Sequence, residues 1–145
     1  MDSIIRKMKT EDKAQVLEMM RVFYASPAVL SNGSEEIFQA DIDNCVRDDP
    51  YVEGYVLEAG DELCGYAMIA KSYSTEFGKH CIWIEDLYIK APYRSKGLGT
   101  QMLQHITESF PGAVFRLEVE EENESAIAVY KKCGFENLPY MEMKK

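Results

Sequence analysis

Two stretches of this chain carry residue types that could do chemistry. In the first, the adjacent carboxylates Glu85 and Asp86 interrupt an apolar run from Trp83 to Ile89. That run passes through Ala91-Pro92 into Tyr93-Arg94-Ser95-Lys96-Gly97-Leu98-Gly99-Thr100. Glycines after a strand let backbone N–H groups approach an anion, and a following helix start adds about half a positive charge. Arg94 and Lys96 add two full charges, and no acid lies between Ile89 and Gln104 in a chain of formal net charge -9. This is an anion site of the kind that takes a phosphate. A carboxylate in an apolar strand is costly to bury unless paired, hydrogen-bonded or protonated. Its raised pKa would suit a general base. An ion pair with a distant basic residue accounts for Glu85 equally well.

The second stretch is Asn123-Glu124-Ser125-Ala126-Ile127-Ala128-Val129-Tyr130-Lys131-Lys132-Cys133-Gly134-Phe135. Asn123 suits a helix N-cap and Gly134 the position after its C-terminus. Tyr130 follows Ala126 and Ile127 at helical spacing, so its phenol is either an ordinary core aromatic or a proton donor. The glycine loop matches neither Gly-x-Gly-x-x-Gly nor Gly-x-x-x-x-Gly-Lys-Ser/Thr, which argues against dinucleotide and P-loop folds.

The elements that must position these residues follow from periodicity. Ile4–Met8 reads as a strand, and Thr10 as the N-cap of a helix whose inward stripe is Val16, Leu17, Met20, Phe23 and Tyr24. Ser34 opens a second helix that Asp48-Asp49-Pro50 ends. Tyr55–Ala59 and Leu63–Ala70 form a hairpin about Gly60-Asp61, and His80–Ile89 a long strand. Strict alternation sets Glu85 and Asp86 on opposite faces, with Glu85 beside Trp83 and Leu87. A helix over Gly97–Phe110, a strand over Val114–Val119, a helix over Asn123–Lys132 and short strands from Phe135 onward complete the order. The implied architecture is an α/β domain over residues 1–145, with one mixed, mostly antiparallel central sheet flanked by about four helices.

Composition narrows the function. Hydrophobic content is 46% with both charge signs present, as expected of a globular protein. Acids cluster from Ser34 to Glu62 and again at Glu118, Glu120, Glu121, Glu122 and Glu124, which disfavours nucleic acid and favours cations such as amines. Cys45, Cys64, Cys81 and Cys133 lack metal-ligand spacing, as do His80 and His105, so no metal site is expected. No signal-peptide core follows Met1 and no run approaches a membrane span; a cytoplasmic protein without a membrane partner is expected.

Together, Tyr93-Arg94-x-x-Gly97-x-Gly99 and Asn123-x-x-Ala126-x-x-x-Tyr130-x-x-x-Gly134-Phe135, separated by one helix and one strand, resemble the GNAT superfamily of N-acetyltransferases. The resemblance covers about residues 4–145. It implies the GNAT fold and acetyl-CoA as co-substrate, with no metal. Leu87, Tyr88 and Ile89 would align the pantetheine arm, and Arg94, Ser95, Lys96, Gly97, Leu98, Gly99 and Thr100 would cradle the pyrophosphate. Asn123, Ser125, Ala126 and Lys132 would lie near the same arm, and Tyr130 would protonate the departing thiolate. Trp83 to Ile89 is similar to the diamine and thialysine acetyltransferase branch, which implies that Glu85 takes the amine proton through water. Asp86 and Tyr24 would then help bind a small cationic amine. The chain departs from that branch with Glu122 before Asn123, where a tryptophan is frequent, and in Tyr24–Val29. A polyamine or lysine-like acceptor is favoured. A protein, peptide or aminoglycoside acceptor, or a non-catalytic acyl-CoA sensor, is the alternative. No cysteine lies in either motif, so direct attack in a ternary complex is expected rather than an acetyl-enzyme. The resemblance also implies a homodimer, to which Leu138-Pro139-Tyr140-Met141 could add a strand.

Overall fold

The computed structural model describes residues 3–145. Its elements run β1 (Ser3–Lys7), a 3-10 turn (Thr10–Asp12), α1 (Lys13–Tyr24), α2 (Glu35–Val46), β2 (Val52–Ala59), β3 (Glu62–Ser74) and β4 (Lys79–Ile89). A second 3-10 turn (Ala91–Tyr93), α3 (Leu98–Ser109), β5 (Val114–Leu117) and α4 (Glu124–Lys132) follow. The five strands form one sheet in sequence order, antiparallel except for the parallel β4–β5 pair. The expected mixed α/β architecture with four α-helices is therefore present.

Alternation divides the core between the two faces of the sheet. On one face α1 and α2 bury Val16, Met19, Met20, Phe38 and Ile42 against Val56, Tyr66, Met68 and Tyr88. On the other, α3 buries Leu98, Met102, Leu103 and Ile106 against Leu57, Ala67, Ile69, Ile82 and Ile84, with Val129 and Tyr130 of α4 packed alongside. Each such side chain contributes about 1.5–3 kcal/mol on burial. Gly65 lets β3 and β4 approach, since a Cβ there would lie 2.8 Å from the Tyr88 carbonyl oxygen.

Three expectations change. Thr10 is not a cap: the chain enters α1 through a 3-10 turn, with Asp12 accepting the Lys9 N–H at 2.7 Å and two bonds from Arg6 at 2.8 and 2.9 Å. No strand forms after Gly134. Residues 136–145 are exposed and unpaired with the sheet, Tyr140 being tied to Glu76 at 2.5 Å. The exposed backbone groups there are satisfied by water. The third change concerns Glu85. Met68 pairs with Asp86 but Ile69 with Ile84, so Glu85 is the extra residue of a β-bulge. Ile82 and Ile84 face α3, whereas Asp86 turns to α1, and Leu87 returns to the α3 side. Strict alternation fails at this one position, so Trp83 and Leu87 do not share a face.

Candidate active site

The bulge sits where the sheet opens. β5 pairs with β4 from Cys81–Val114 to Ile84–Leu117 and no further. From Glu85 to Ile89, β4 is bonded to β3 on one side and has no strand on the other. Backbone groups along that edge have no strand partner among the described residues and can pair with an extended ligand, as in strand addition, except the Ile89 carbonyl, which accepts from Arg94. The gap therefore has two approaches, one from each face of the sheet.

Of the groups assigned to the donor, Leu87, Ile89, Leu98 and Tyr130 pack on the α3 and α4 side, whereas Tyr88 faces α1 and α2. Ser95 and Gly97 both take left-handed φ, 63° and 79°, and α3 begins directly after Gly97 with no side-chain cap. Its first N–H groups are left for an external acceptor. A Cβ on Gly97 or Gly99 would meet nothing within 4 Å, so the cradle is open space that glycine keeps clear. Arg94 donates Nε–H to the Ile89 carbonyl at 2.8 Å and lies over the Tyr88 ring at 5.5 Å. This fixes the loop against the free strand edge, and Lys96 lies exposed in the same loop. These features fit a pyrophosphate. Asn123 caps α4 through the Ala126 N–H at 3.4 Å, with Ser125 beside it at 3.5 Å, and Gly134 ends the helix at φ 97°. Lys132 is exposed in the last turn. Tyr130 packs edge-on to Phe135 at 6.0 Å, and its hydroxyl has no hydrogen-bond partner among the described residues. Burial pushes its phenol above the usual range.

The α1 and α2 face is acidic. Asp86 is 3% exposed; Tyr24 donates to its Oδ1 at 2.9 Å and Tyr66 to its Oδ2 at 2.8 Å. Burial raises the Asp86 carboxyl, with the two phenols offsetting part of that rise. Glu85 is exposed beside it. Surrounding protein mass, then the charges of Asp86 and Glu142, push its carboxyl above the ordinary glutamate range. Asp41 of α2 is half-buried without hydrogen bond or ion pair among the described residues. Burial first, then Asp86 and Glu85, move it up to about 6. Tyr66 and Asp41 escaped the sequence reading. Tyr66 stands out only as a phenol inside an apolar strand, and its register against Asp86 requires the β3–β4 ladder. Asp41 lacks even that signal.

Residues 15–135 match the profile of the Acetyltransferase (GNAT) family. The chain belongs to that family. It is 29% identical to the thialysine N-epsilon-acetyltransferase of Sus scrofa, covering 96% of this chain and 87% of the relative. It is 31% identical to the spermine/spermidine N(1)-acetyltransferase of Bacillus subtilis over 52% of this chain and 53% of that one. An aminoglycoside N-acetyltransferase solved in complex with CoA shares the fold at a TM-score of 0.82 and 13% identity, covering 99% of this chain and 94% of that one. This GNAT N-acetyltransferase thus combines an open β4 edge with a cluster of carboxylates, Asp41, Glu85 and Asp86, beside it. Among the described residues no helix is long and apolar enough to cross a membrane, and no group of three or more His, Cys, Asp or Glu could hold a metal.

Proposed function

We propose that this chain transfers acetyl from acetyl-CoA to the primary amine of a small cationic molecule, by direct attack with both substrates bound. The observation that carries this reading is the opening of the sheet after Ile84–Leu117. The free edge of β4 there lies between the open glycine loop that starts α3 and the buried carboxylate of Asp86 on the α1 side.

Acetyl-CoA supplies a thioester carbonyl as the electrophile. The backbone of Leu87 to Ile89 aligns the extended arm, and an N–H on the same edge can stabilise the developing oxyanion. A primary amine is almost fully protonated at neutral pH and must lose a proton before attacking. Glu85 takes that proton through water. Its raised pKa makes it a stronger base than an ordinary glutamate. Tyr130 keeps its proton at neutral pH and, having no internal partner, can give it to the departing thiolate. The field of Asp86, Asp41 and Glu85 favours a cationic acceptor.

A thiol-release assay across diamines, polyamines, lysine-like amino acids, an aminoglycoside and a peptide amine tests the proposal. Acetyl-CoA-dependent turnover of a small amine is the expected result. Coenzyme A binding with no turnover of any amine would overturn it in favour of a sensor.

A further inference from the structure

Arg116 of β5 has no carboxylate partner. Its Cα is the direct partner of Trp83 across the parallel β4–β5 ladder, and its guanidinium carbon lies 4.7 Å from the centre of the indole ring. Arg6 pairs with Asp12 and Glu58, Arg21 with Glu35 and Arg47 with Asp49, and Arg94 holds the Ile89 carbonyl. Among the described residues Arg116 makes no hydrogen bond and no ion pair, although it is half-buried in a chain of formal net charge -9. Tyr140, near enough to feel the Arg116 charge, donates its hydroxyl to Glu76, and Glu118, two residues on from Arg116, lies against Glu142. Stacking on indole leaves the guanidinium edge and its N–H fork free, which is the geometry that takes a carboxylate in two parallel bonds.

The position of this cation relative to Glu85 matters. Phe115 and Leu117 pack on the α3 side, so alternation turns Arg116 toward the opposite, acidic face with Trp83. Trp83 precedes Glu85 by two residues on one strand, at most about 6–7 Å at 3.3 Å per residue and less across the bulge. An amino acid with a four-carbon amine side chain spans about 7 Å from carboxylate to terminal nitrogen. A polyamine has cations at both ends and would place one of them against Arg116.

We infer that Arg116, stacked on Trp83, reads the α-carboxylate of an amino-acid acceptor whose side-chain amine lies at Glu85. This rests on the transferase reading above and narrows its acceptor from small amines in general to amino acids of lysine length.

L-Lysine and 1,5-diaminopentane test it, since they differ only by the carboxylate. In the full chain, Arg116→Gln should raise KM for L-lysine about ten- to a hundredfold, the loss expected of a charge-assisted bidentate contact. KM for 1,5-diaminopentane should stay level or fall, since the substitution removes a like charge from its second ammonium, and kcat for both should move less than about twofold. Arg116→Lys should recover part of the loss, because it restores the charge without the fork. Direct titration of each amine onto the protein with coenzyme A present reads acceptor binding without turnover. A lysine-to-diamine ratio unchanged by Arg116→Gln in both measurements would overturn the inference and leave the transferase reading standing. Loss of lysine binding in the variant, with no turnover of either amine by wild type, would support the carboxylate site and overturn the transferase reading. Binding and turnover of neither amine would overturn both.

Discussion

Ile84 and Leu117 are the last paired residues of β4 and β5, and the next residue of β4, Glu85, is the bulge. The two features act together. Ending the ladder frees the edge from Glu85 to Ile89, and the bulge turns Asp86 away from the α3 face toward Tyr24 and Tyr66. One local irregularity thus turns Asp86 to the α1 side while Leu87 stays on the α3 side of the same strand.

Tyr130→Phe removes a hydroxyl that bonds to nothing else in the described structure, so its stability cost should be below about 0.5 kcal/mol. A lost general acid lowers kcat about 10²–10⁴-fold. Calorimetric affinity for coenzyme A should stay within about twofold. A wild-type kcat in this variant would remove Tyr130 from the acid role.

Glu85 accepts a proton only when ionised. Because its folded pKa is raised, the acidic limb of the kcat/KM profile should lie above the ordinary glutamate range and fall away at lower pH. Glu85→Gln should lower kcat by about 10²–10⁴-fold and abolish that limb. An acidic limb that survives the substitution would assign the base elsewhere.

Tyr66→Phe leaves Asp86 Oδ2 buried without its donor, a cost of about 1–3 kcal/mol. The sign with pH follows from protonation. Losing the donor raises the folded Asp86 pKa further above its unfolded value, so the penalty is full at pH above that raised value. It shrinks as falling pH protonates Asp86 in the folded state. Urea unfolding of wild type and variant at neutral and mildly acidic pH measures this difference. An equal penalty at both would show that Asp86 does not change its protonation state between them.

Gly97→Val puts a β-branched residue at φ 79° and projects it into the open cradle before α3. Strain of about 1–2 kcal/mol should accompany weaker coenzyme A binding. Chemical denaturation and calorimetric titration separate the two effects. Strain without weaker binding would place the diphosphate outside this loop.

Much of this protein follows from local chemistry. Helical periodicity placed α1, α2, α3 and α4, and Ser34 and Asn123 cap as their side chains predict. The glycines and cations of residues 94–100 announce an anion cradle because turn geometry and helix ends depend on adjacent residues alone. Other features depend on partners remote in sequence. The bulge at Glu85 exists only in the register between β3 and β4, so alternation within β4 assigned its faces wrongly. Tyr66 reaches Asp86 across twenty residues, and Arg116 meets Trp83 only through a parallel ladder joined by a crossover helix. The tail after Gly134 formed no strand, because a strand is stable only when a neighbour takes its hydrogen bonds. The sequence by itself determined the element order as far as α4, the glycine- and cation-rich loop before α3 and the residue types available for catalysis. Tertiary structure alone decided which carboxylate is buried, which stays exposed, and which cation is left without a partner, since burial and pairing are properties of contacts between strands and helices far apart in the chain.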